Sequence, residues 1–155
     1  MSKIKSIIQM PSAVRSDRLE KPPRLLLIHQ SDYPNPAEYL LSKDAIKNQI
    51  SCHFAWSFNA DNFVQMVPLD TAACHTADPD NWFRAVGIVL AGPRRVPIPN
   101  PSIKKLDLLV FELLSLIPDI KHCCGYRHMS NCKSSPSDYF DFDKFCKTHS
   151  LKFGM

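Results

Sequence analysis

The sequence lacks a hydrophobic run long enough to cross a membrane. No apolar segment approaches the roughly 18 residues that a transmembrane helix requires. The first 23 residues also lack the unbroken apolar core and the small-residue cleavage site of a secretory signal peptide. We therefore expect a protein that is cytoplasmic as synthesised, and that would be exported only by another route.

Dense groups of basic residues are missing as well. The formal net charge is +4, but the only adjacent basic pairs are Arg94-Arg95 and Lys104-Lys105. Scattered lysines and arginines are typical of a solvated surface, whereas a nucleic-acid-binding protein concentrates them on one face. We expect no nucleic-acid partner.

The chain has six cysteines but no sign of a secreted disulfide framework. With 155 residues, of which 45% are hydrophobic, it can bury a core without covalent cross-links. Internal repeats and low-complexity segments are also absent. We predict free thiols and a single domain over residues 24–155, preceded by an N-terminal arm, residues 1–23, that ends at Pro22-Pro23.

Residues 51–92 carry the clearest secondary-structure pattern. Ser51 to Phe58 alternates aromatic and small residues, which is typical of a half-buried strand. The turn-forming residues 59–62 and the strand-like Phe63 to Val67 then predict a hairpin. The apolar run Val86 to Leu90 predicts a strand that is covered on both faces.

The remaining elements mix strands with helices. Leu106, Leu109, Val110 and Leu113 recur at helical spacing, and Ser102 is a plausible N-cap for their helix. Outside residues 51–92, the predicted elements are strands at 24–29 and 120–126 and helices at 37–49, 103–116 and 140–147. This order predicts an α/β (α+β) fold in which helices pack on a single mixed β-sheet.

Three histidines lie at or near the ends of predicted strands. His29 ends the first strand, His128 follows the strand at 120–126, and His75 lies between the hairpin and the strand at 86–90. Side chains at the ends of neighbouring strands can meet at one edge of a sheet. We expect these histidines to converge on one cleft.

Several short motifs occur in an order that resembles a known family. They are Leu-Leu-Ile-His at 26–29, Ser-Cys-His-Phe at 51–54, Ala-Cys-His-Thr-Ala at 73–77, Val-Gly-Ile-Val-Leu at 86–90, Gly-Tyr-Arg-His at 125–128 and Phe-Asp-Phe at 140–142. Together they resemble the zinc-dependent N-acetylmuramoyl-L-alanine amidases, a family that includes bacteriophage amidase-type lysozymes and peptidoglycan-recognition proteins. The resemblance covers roughly residues 24–147.

The resemblance implies a zinc site that is incomplete in this sequence. His29 and His128 occupy the positions of two zinc ligands, and Ser135 stands where the family has Asp or Cys. A serine hydroxyl stays protonated near neutral pH and is a poor zinc ligand. We therefore expect Ser135 to contact substrate rather than zinc. Cys132 is a substitute ligand or an ordinary loop thiol, and Asp138 is a second substitute.

The resemblance also assigns roles to residues around the metal. Cys52 occupies the position of the family's proton-transferring Tyr or Glu, and Lys133 matches a lysine that stabilises the oxyanion. His75 matches a histidine that lines the cleft and contacts substrate or transition state. His53 either contacts substrate or supports the sheet, and Trp82 is a candidate for stacking on a sugar or peptide.

These residues leave three functional hypotheses open. The first is a zinc amidase that cleaves the bond between N-acetylmuramic acid and L-alanine, and acts on the cell wall if released. The second is a catalytically impaired relative, a pseudoenzyme, that binds a muropeptide, another ligand or a protein partner. The third is a two-histidine phosphoesterase, indicated by the paired tripeptides His29-Gln30-Ser31 and His128-Met129-Ser130.

Overall fold

A mixed β-sheet runs through the whole protein. The computed structural model describes residues 7–14, 21–75, 84–92, 96–98, 100–129, 136 and 139–154. In these residues the strands are β1 (Ile8–Gln9), β2 (Leu25–Ser31), β3 (Phe54–Ser57), β4 (Asn62–Gln65), β5 (Ala85–Ala91), β6 (His122–Gly125) and β7 (Lys152–Phe153). The helices are α1 (Pro36–Leu40), α2 (Lys43–Lys47), α3 (Asn100–Leu116) and α4 (Phe142–His149), with a 3-10 turn at Tyr126–His128.

The strands form one seven-stranded sheet in the order β1-β4-β3-β5-β2-β6-β7. Only β3 and β4 pair antiparallel among the described strands, as the hairpin predicts, and the other neighbours are parallel. The longest pairing joins β2 and β5, from Leu25 opposite Ala85 to Ser31 opposite Ala91. The predicted single mixed sheet with packed helices is confirmed.

The two faces of the sheet carry different helices. Alternate residues of the central strands, among them Leu26, Ile28, Val86 and Ile88, pack beneath α3 and α4 in the main core. On the opposite face, Ala55, Val64 and Val89 pack with Ala37 and Leu40 of α1 in a smaller cluster. Because the central strands are covered on both sides, their sequences are apolar runs rather than alternating patterns.

Three local predictions need correction. Ser102 is not an N-cap, since α3 already begins at Asn100 and Pro101 lies in its first turn, where a missing N–H costs nothing. The helix predicted at 37–49 is divided in two, because the Ser42 hydroxyl accepts a hydrogen bond from the Ala45 N–H and starts a new helix. Strand β3 is buried on both faces rather than half-buried, and Phe58 lies in the turn with 72% of its surface exposed.

Other expectations are met in the part of the chain that the structure describes. Cys52, Cys74, Cys123, Cys124 and Cys146 are all free thiols. None of the described helices is long and apolar enough to cross a membrane. Strand β1, within the predicted N-terminal arm, was not predicted. Next to it Met10 and Ser12 donate backbone hydrogen bonds to the carbonyls of Gln65 and Met66.

We predict that the packing of α3 dominates stability. Leu113 lies on the core-facing side of α3 and is fully buried, whereas Leu108 on the same helix is 65% exposed. Leu113→Ala should lower the free energy of unfolding by about 2–5 kcal/mol, because it removes buried methyl groups and leaves a cavity. The matched change Leu108→Ala should cost less than about 0.5 kcal/mol. Urea denaturation of both variants checks this, and equal losses would contradict the packing described.

Candidate functional site

A cleft of about 520 Å³ opens on the α1 side of the sheet, over the C-terminal half of β2. Its walls come from the end of β2, the loop that follows, α1, the segment after α2, residues 74–75, β5 and Tyr126. Ligands of open α/β sheets bind at the carboxyl ends of the strands, and the volume lies in the range of small-molecule sites. We therefore take this cleft as the candidate site.

His29 lies in this cleft, as the sequence predicts. It sits near the end of β2, opposite Val89 of β5, and both residues line the cleft. The His29 ring meets the edge of Tyr126 at a centroid distance of 5.0 Å and an interplanar angle of 87°. Strand β2 places Leu27 and His29 on the same face, so the histidine follows directly from the strand's period of two.

His75 also lines the cleft, and it rests on a glycine. A side chain at Gly87 would place its Cβ only 2.0 Å from the His75 ring, so the ring lies directly against the backbone of β5. Nε2 of His75 donates to the Ala85 carbonyl at 3.4 Å, whereas buried Nδ1 has no hydrogen-bond partner among the described residues. Burial lowers the pKa of His75 to about 4, so Nδ1 is a neutral acceptor.

His53 supports the sheet and does not line the cleft. Its Nδ1 accepts a hydrogen bond from the Gly87 N–H at 3.1 Å, and Nε2 donates to the Thr71 carbonyl at 2.9 Å. Burial, followed by the nearby His75, lowers the pKa of His53 to about 3. Both ring nitrogens are occupied by the backbone, so substrate binding by His53 has no support in this geometry.

Cys52 lines the cleft, but its thiol is committed to the backbone. The side chain is buried and donates to the Phe54 carbonyl at 3.1 Å. Burial raises the pKa of the thiol far above its ordinary value. A thiol that stays protonated and already donates to a carbonyl is poorly suited to the proton transfer implied by the resemblance.

His128 does not line this cleft. Its ring packs edge-on against Phe142 at 5.3 Å and Phe153 at 5.0 Å. Nδ1 lies 3.0 Å from the Gly125 nitrogen and 3.2 Å from the Gly125 oxygen, so the backbone holds this nitrogen in either tautomer. Burial and the neighbouring Arg127 lower the pKa of His128.

Two of the predicted zinc ligands, His29 and His128, are among the described residues. In the ranges that the structure describes, no group of three His, Cys, Asp or Glu side chains is arranged to hold a metal ion. His29 lies in the cleft, while His128 packs on phenylalanines outside it. The other predicted site residues, Trp82, Cys132, Lys133, Ser135 and Asp138, lie outside the described residues.

The described lining of the cleft is nearly free of ionised groups. Asp32 is its only carboxylate, and none of the described lining residues is a lysine or arginine. The remaining lining is aliphatic, aromatic, amide, hydroxyl, thiol and imidazole, as in Val89, Tyr39, Asn48 and Ser51. Such a surface suits an uncharged or weakly charged ligand with amide and hydroxyl groups.

Sequence reasoning missed several cleft residues. Tyr33, Tyr39, Asn48 and Gln49 line the cleft, but they belong to a loop and short helices with no motif of their own. Gly87 did carry a signal, since an isolated glycine inside an apolar strand marks a close approach of another group. Here that group is the His75 ring.

Solved structures with the same fold include amidases and peptidoglycan recognition proteins. The endolysin amidase LysCS from Clostridium intestinale URNW is 15% identical, with a TM-score of 0.79 over 98% of this chain and 100% of the other. AmpD, as its selenomethionine derivative, is 19% identical, with a TM-score of 0.75 over 97% of each chain. The complex of peptidoglycan recognition proteins LCa and LCx with tracheal cytotoxin gives 15% identity and a TM-score of 0.69 over 89% of each chain.

These likenesses establish the fold of the chain. No protein-family model matches the sequence, and no curated protein sequence matches it. The fold implied by the sequence motifs, that of the amidases and peptidoglycan recognition proteins, is confirmed.

We predict that Gly87 is required because of His75. Gly87→Ala should cost about 1–3 kcal/mol of unfolding free energy, because the new methyl group overlaps the imidazole. In a His75→Ala background the same change should be neutral or slightly stabilising, because alanine loses less backbone entropy than glycine in a strand. Chemical denaturation of the four proteins in this cycle measures the coupling. Additive costs would show that the His75 ring does not rest on Gly87.

We also predict acid destabilisation through the buried histidines. The pKa of His53 falls from 6.5 to about 3 on folding, so the unfolded chain binds more protons between these values. The contribution of His53 to the free energy of unfolding is therefore fully present above about pH 6.5. It decreases as the pH drops, by up to about 1.4 kcal/mol per pH unit for each such group. His53→Gln should flatten this dependence in unfolding experiments from pH 7 to pH 4. An unchanged slope would exclude His53 as a source.

Proposed function

We propose that this protein binds a peptidoglycan fragment, a muropeptide, in the cleft and does not hydrolyse it. The observation that carries the proposal is the lining of the cleft. It offers neutral hydrogen-bonding groups and apolar surface, but no set of three metal ligands among the described residues. A structural neighbour was solved with tracheal cytotoxin bound to peptidoglycan recognition proteins, which supports a binding role for this fold.

The cleft residues suit a ligand with a peptide and a sugar part. The half-buried His75 ring lines the cleft and offers its exposed surface to the ligand. Leu27 and Val89 provide apolar floor. The exposed Asn48 and Gln49 provide amide groups, although the Asn48 nitrogen also donates to the Asp44 carbonyl. A site of this kind fixes its ligand by a few polar contacts within a largely apolar surface.

Among the described lining residues, His29 and Asp32 are the candidate bases for hydrolysis, and no set of three metal ligands accompanies them. Attack of water on an amide requires a general base or a metal-bound hydroxide. Cys52 holds its proton and donates to the backbone, and Nε2 of His75 is occupied by the Ala85 carbonyl. Asp32 is the only carboxylate in the described lining and is exposed at the loop after β2. We therefore assign binding rather than turnover to this cleft.

A zinc-dependent amidase is the second candidate. His29 lies in the cleft at the position implied for a zinc ligand, and LysCS, which has this fold, is named an amidase. This candidate needs further ligands from residues 130–138, most of which lie outside the described residues. The two-histidine phosphoesterase has less support, because His29 is among the described lining residues of the cleft and His128 is not.

Binding and hydrolysis can be measured on the same sample. Isothermal titration of the full chain with an N-acetylmuramoyl peptide should show binding, and mass spectrometry of the mixture after prolonged incubation should show intact ligand, with or without added zinc. His29→Ala should weaken binding at least several-fold, because it removes a ring that lines the cleft. His122→Ala, which changes a histidine of β6 outside the cleft lining, is the matched control.

Elemental analysis distinguishes the two candidates. Protein purified without added metal should contain no stoichiometric zinc. About one zinc per chain that is lost in His128→Ala, together with cleavage of the muramoyl-alanine bond, would replace the binding proposal by the amidase. A wild-type chain that neither binds nor cleaves the ligand would overturn both.

A further inference from the structure

Two stacked tyrosines form part of the cleft wall. Tyr33, in the loop after β2, and Tyr39, on α1, lie with ring centroids 3.8 Å apart and an interplanar angle of 10°. Both line the cleft, and Tyr33 remains 49% exposed. Since one face of the Tyr33 ring is covered by Tyr39, its exposed surface is the opposite face and the ring edge. The protein therefore presents a flat aromatic surface to the cleft and its mouth.

Local contacts hold this pair in place. The Tyr33 N–H donates to the Ser31 hydroxyl at 3.2 Å, and the Tyr39 N–H donates to the Asn35 carbonyl at 3.1 Å. The Asn35 side chain accepts from the Phe58 N–H at 3.3 Å, which ties the loop to the hairpin turn. Burial, the Tyr33 phenol and its hydrogen bond raise the pKa of Tyr39, so its hydroxyl stays protonated.

The stacking geometry is unusual for an aromatic pair. Aromatic pairs prefer offset or edge-on arrangements with centroids about 4.5–7 Å apart, so a parallel pair at 3.8 Å is not the arrangement that two free rings adopt. A hydrogen bond between the two tyrosine side chains accompanies the parallel stacking. About half of the Tyr33 side chain remains in contact with water. A ligand that covers it would gain the free energy of removing this apolar surface from water.

We propose that Tyr33 is a stacking platform for the pyranose ring of the ligand. This inference rests on the proposed muropeptide-binding function and assigns its sugar to one end of the cleft. A saturated sugar ring has a flat C–H face, which covers an aromatic face, and polar substituents at its rim. Asp32, Asn48 and Gln49 line the same cleft and supply carboxylate and amide groups to such substituents. The peptide part then extends towards His75.

The test compares ligands with and without the sugar. Titration of the full chain should give an affinity for N-acetylmuramoyl-L-alanyl-D-isoglutamine about tenfold higher than for L-alanyl-D-isoglutamine, a gain typical of one stacked ring. Tyr33→Leu should remove this difference and leave the affinity for the bare dipeptide unchanged, whereas Tyr33→Phe should retain it. Tyr139→Leu, which changes a tyrosine that is 62% exposed and does not line the cleft, is the matched control.

The outcomes separate this inference from the proposed function. Equal affinities for both ligands in the wild type, unaffected by Tyr33→Leu, would overturn the platform and leave muropeptide binding in place. Loss of dipeptide binding in Tyr33→Leu would also overturn it, since Tyr33 would then shape the whole cleft. A third probe, a short N-acetylglucosamine oligomer, tests the platform alone. Binding of this oligomer that depends on Tyr33, without binding of the muropeptide, would support the platform and overturn the proposed function. Binding of none of the three probes would overturn both.

Discussion

The contact between the His75 ring and the bare backbone of Gly87 is the constraint on which the cleft depends. Gly87 lies in the middle of β5, and its N–H and C=O both pair with His53, through the ring nitrogen and the backbone N–H respectively. His53 in turn holds the Thr71 carbonyl. Gly87 of β5 therefore contacts both His53, just before β3, and the ring of His75. A larger residue at this position would push the His75 ring off the sheet and change the floor of the cleft.

The same arrangement determines the electrostatics of the cleft. The histidines that meet at Gly87 are buried, so the charged forms are disfavoured and both rings are neutral near pH 7. Burial acts in the opposite direction on Cys52, whose thiol keeps its proton. Among the described lining residues Asp32 is the only carboxylate and none is a lysine or arginine. The hydrogen-bond pattern and shape of a ligand therefore matter more to this lining than its charge.

The sequence predicted those strands and helices that follow from the periodicity of hydrophobic residues. The apolar runs around Ile28 and Ile88 and the hairpin after Trp56 follow from side-chain alternation and turn chemistry, so the sheet and its helices were predictable. His29 was predictable too, because a strand of known phase fixes the face of each residue. His128 was not, because the 3-10 turn after β6 sets its direction, and its preference for Phe142 and Phe153 is a packing effect between distant segments. The Tyr33 and Tyr39 stack depends on the path of a loop, for which the sequence has no periodic signal.

One fold can carry sites of different function, because the sheet and the side chains of a site are fixed by different contacts. The sheet fixes the backbone, and structures only 15–19% identical share it with TM-scores of 0.75 and 0.79. Metal binding, however, needs several side-chain donors directed at one point within a few tenths of an ångström. Here His29 lines the cleft, and the His128 ring contacts Phe142 and Phe153. The cleft, its apolar floor and its amide groups remain, because they belong to the strands and helices that the core holds in place. A ligand-binding cleft therefore depends mainly on the sheet and its packing, whereas catalysis also depends on the exact placement of individual side chains.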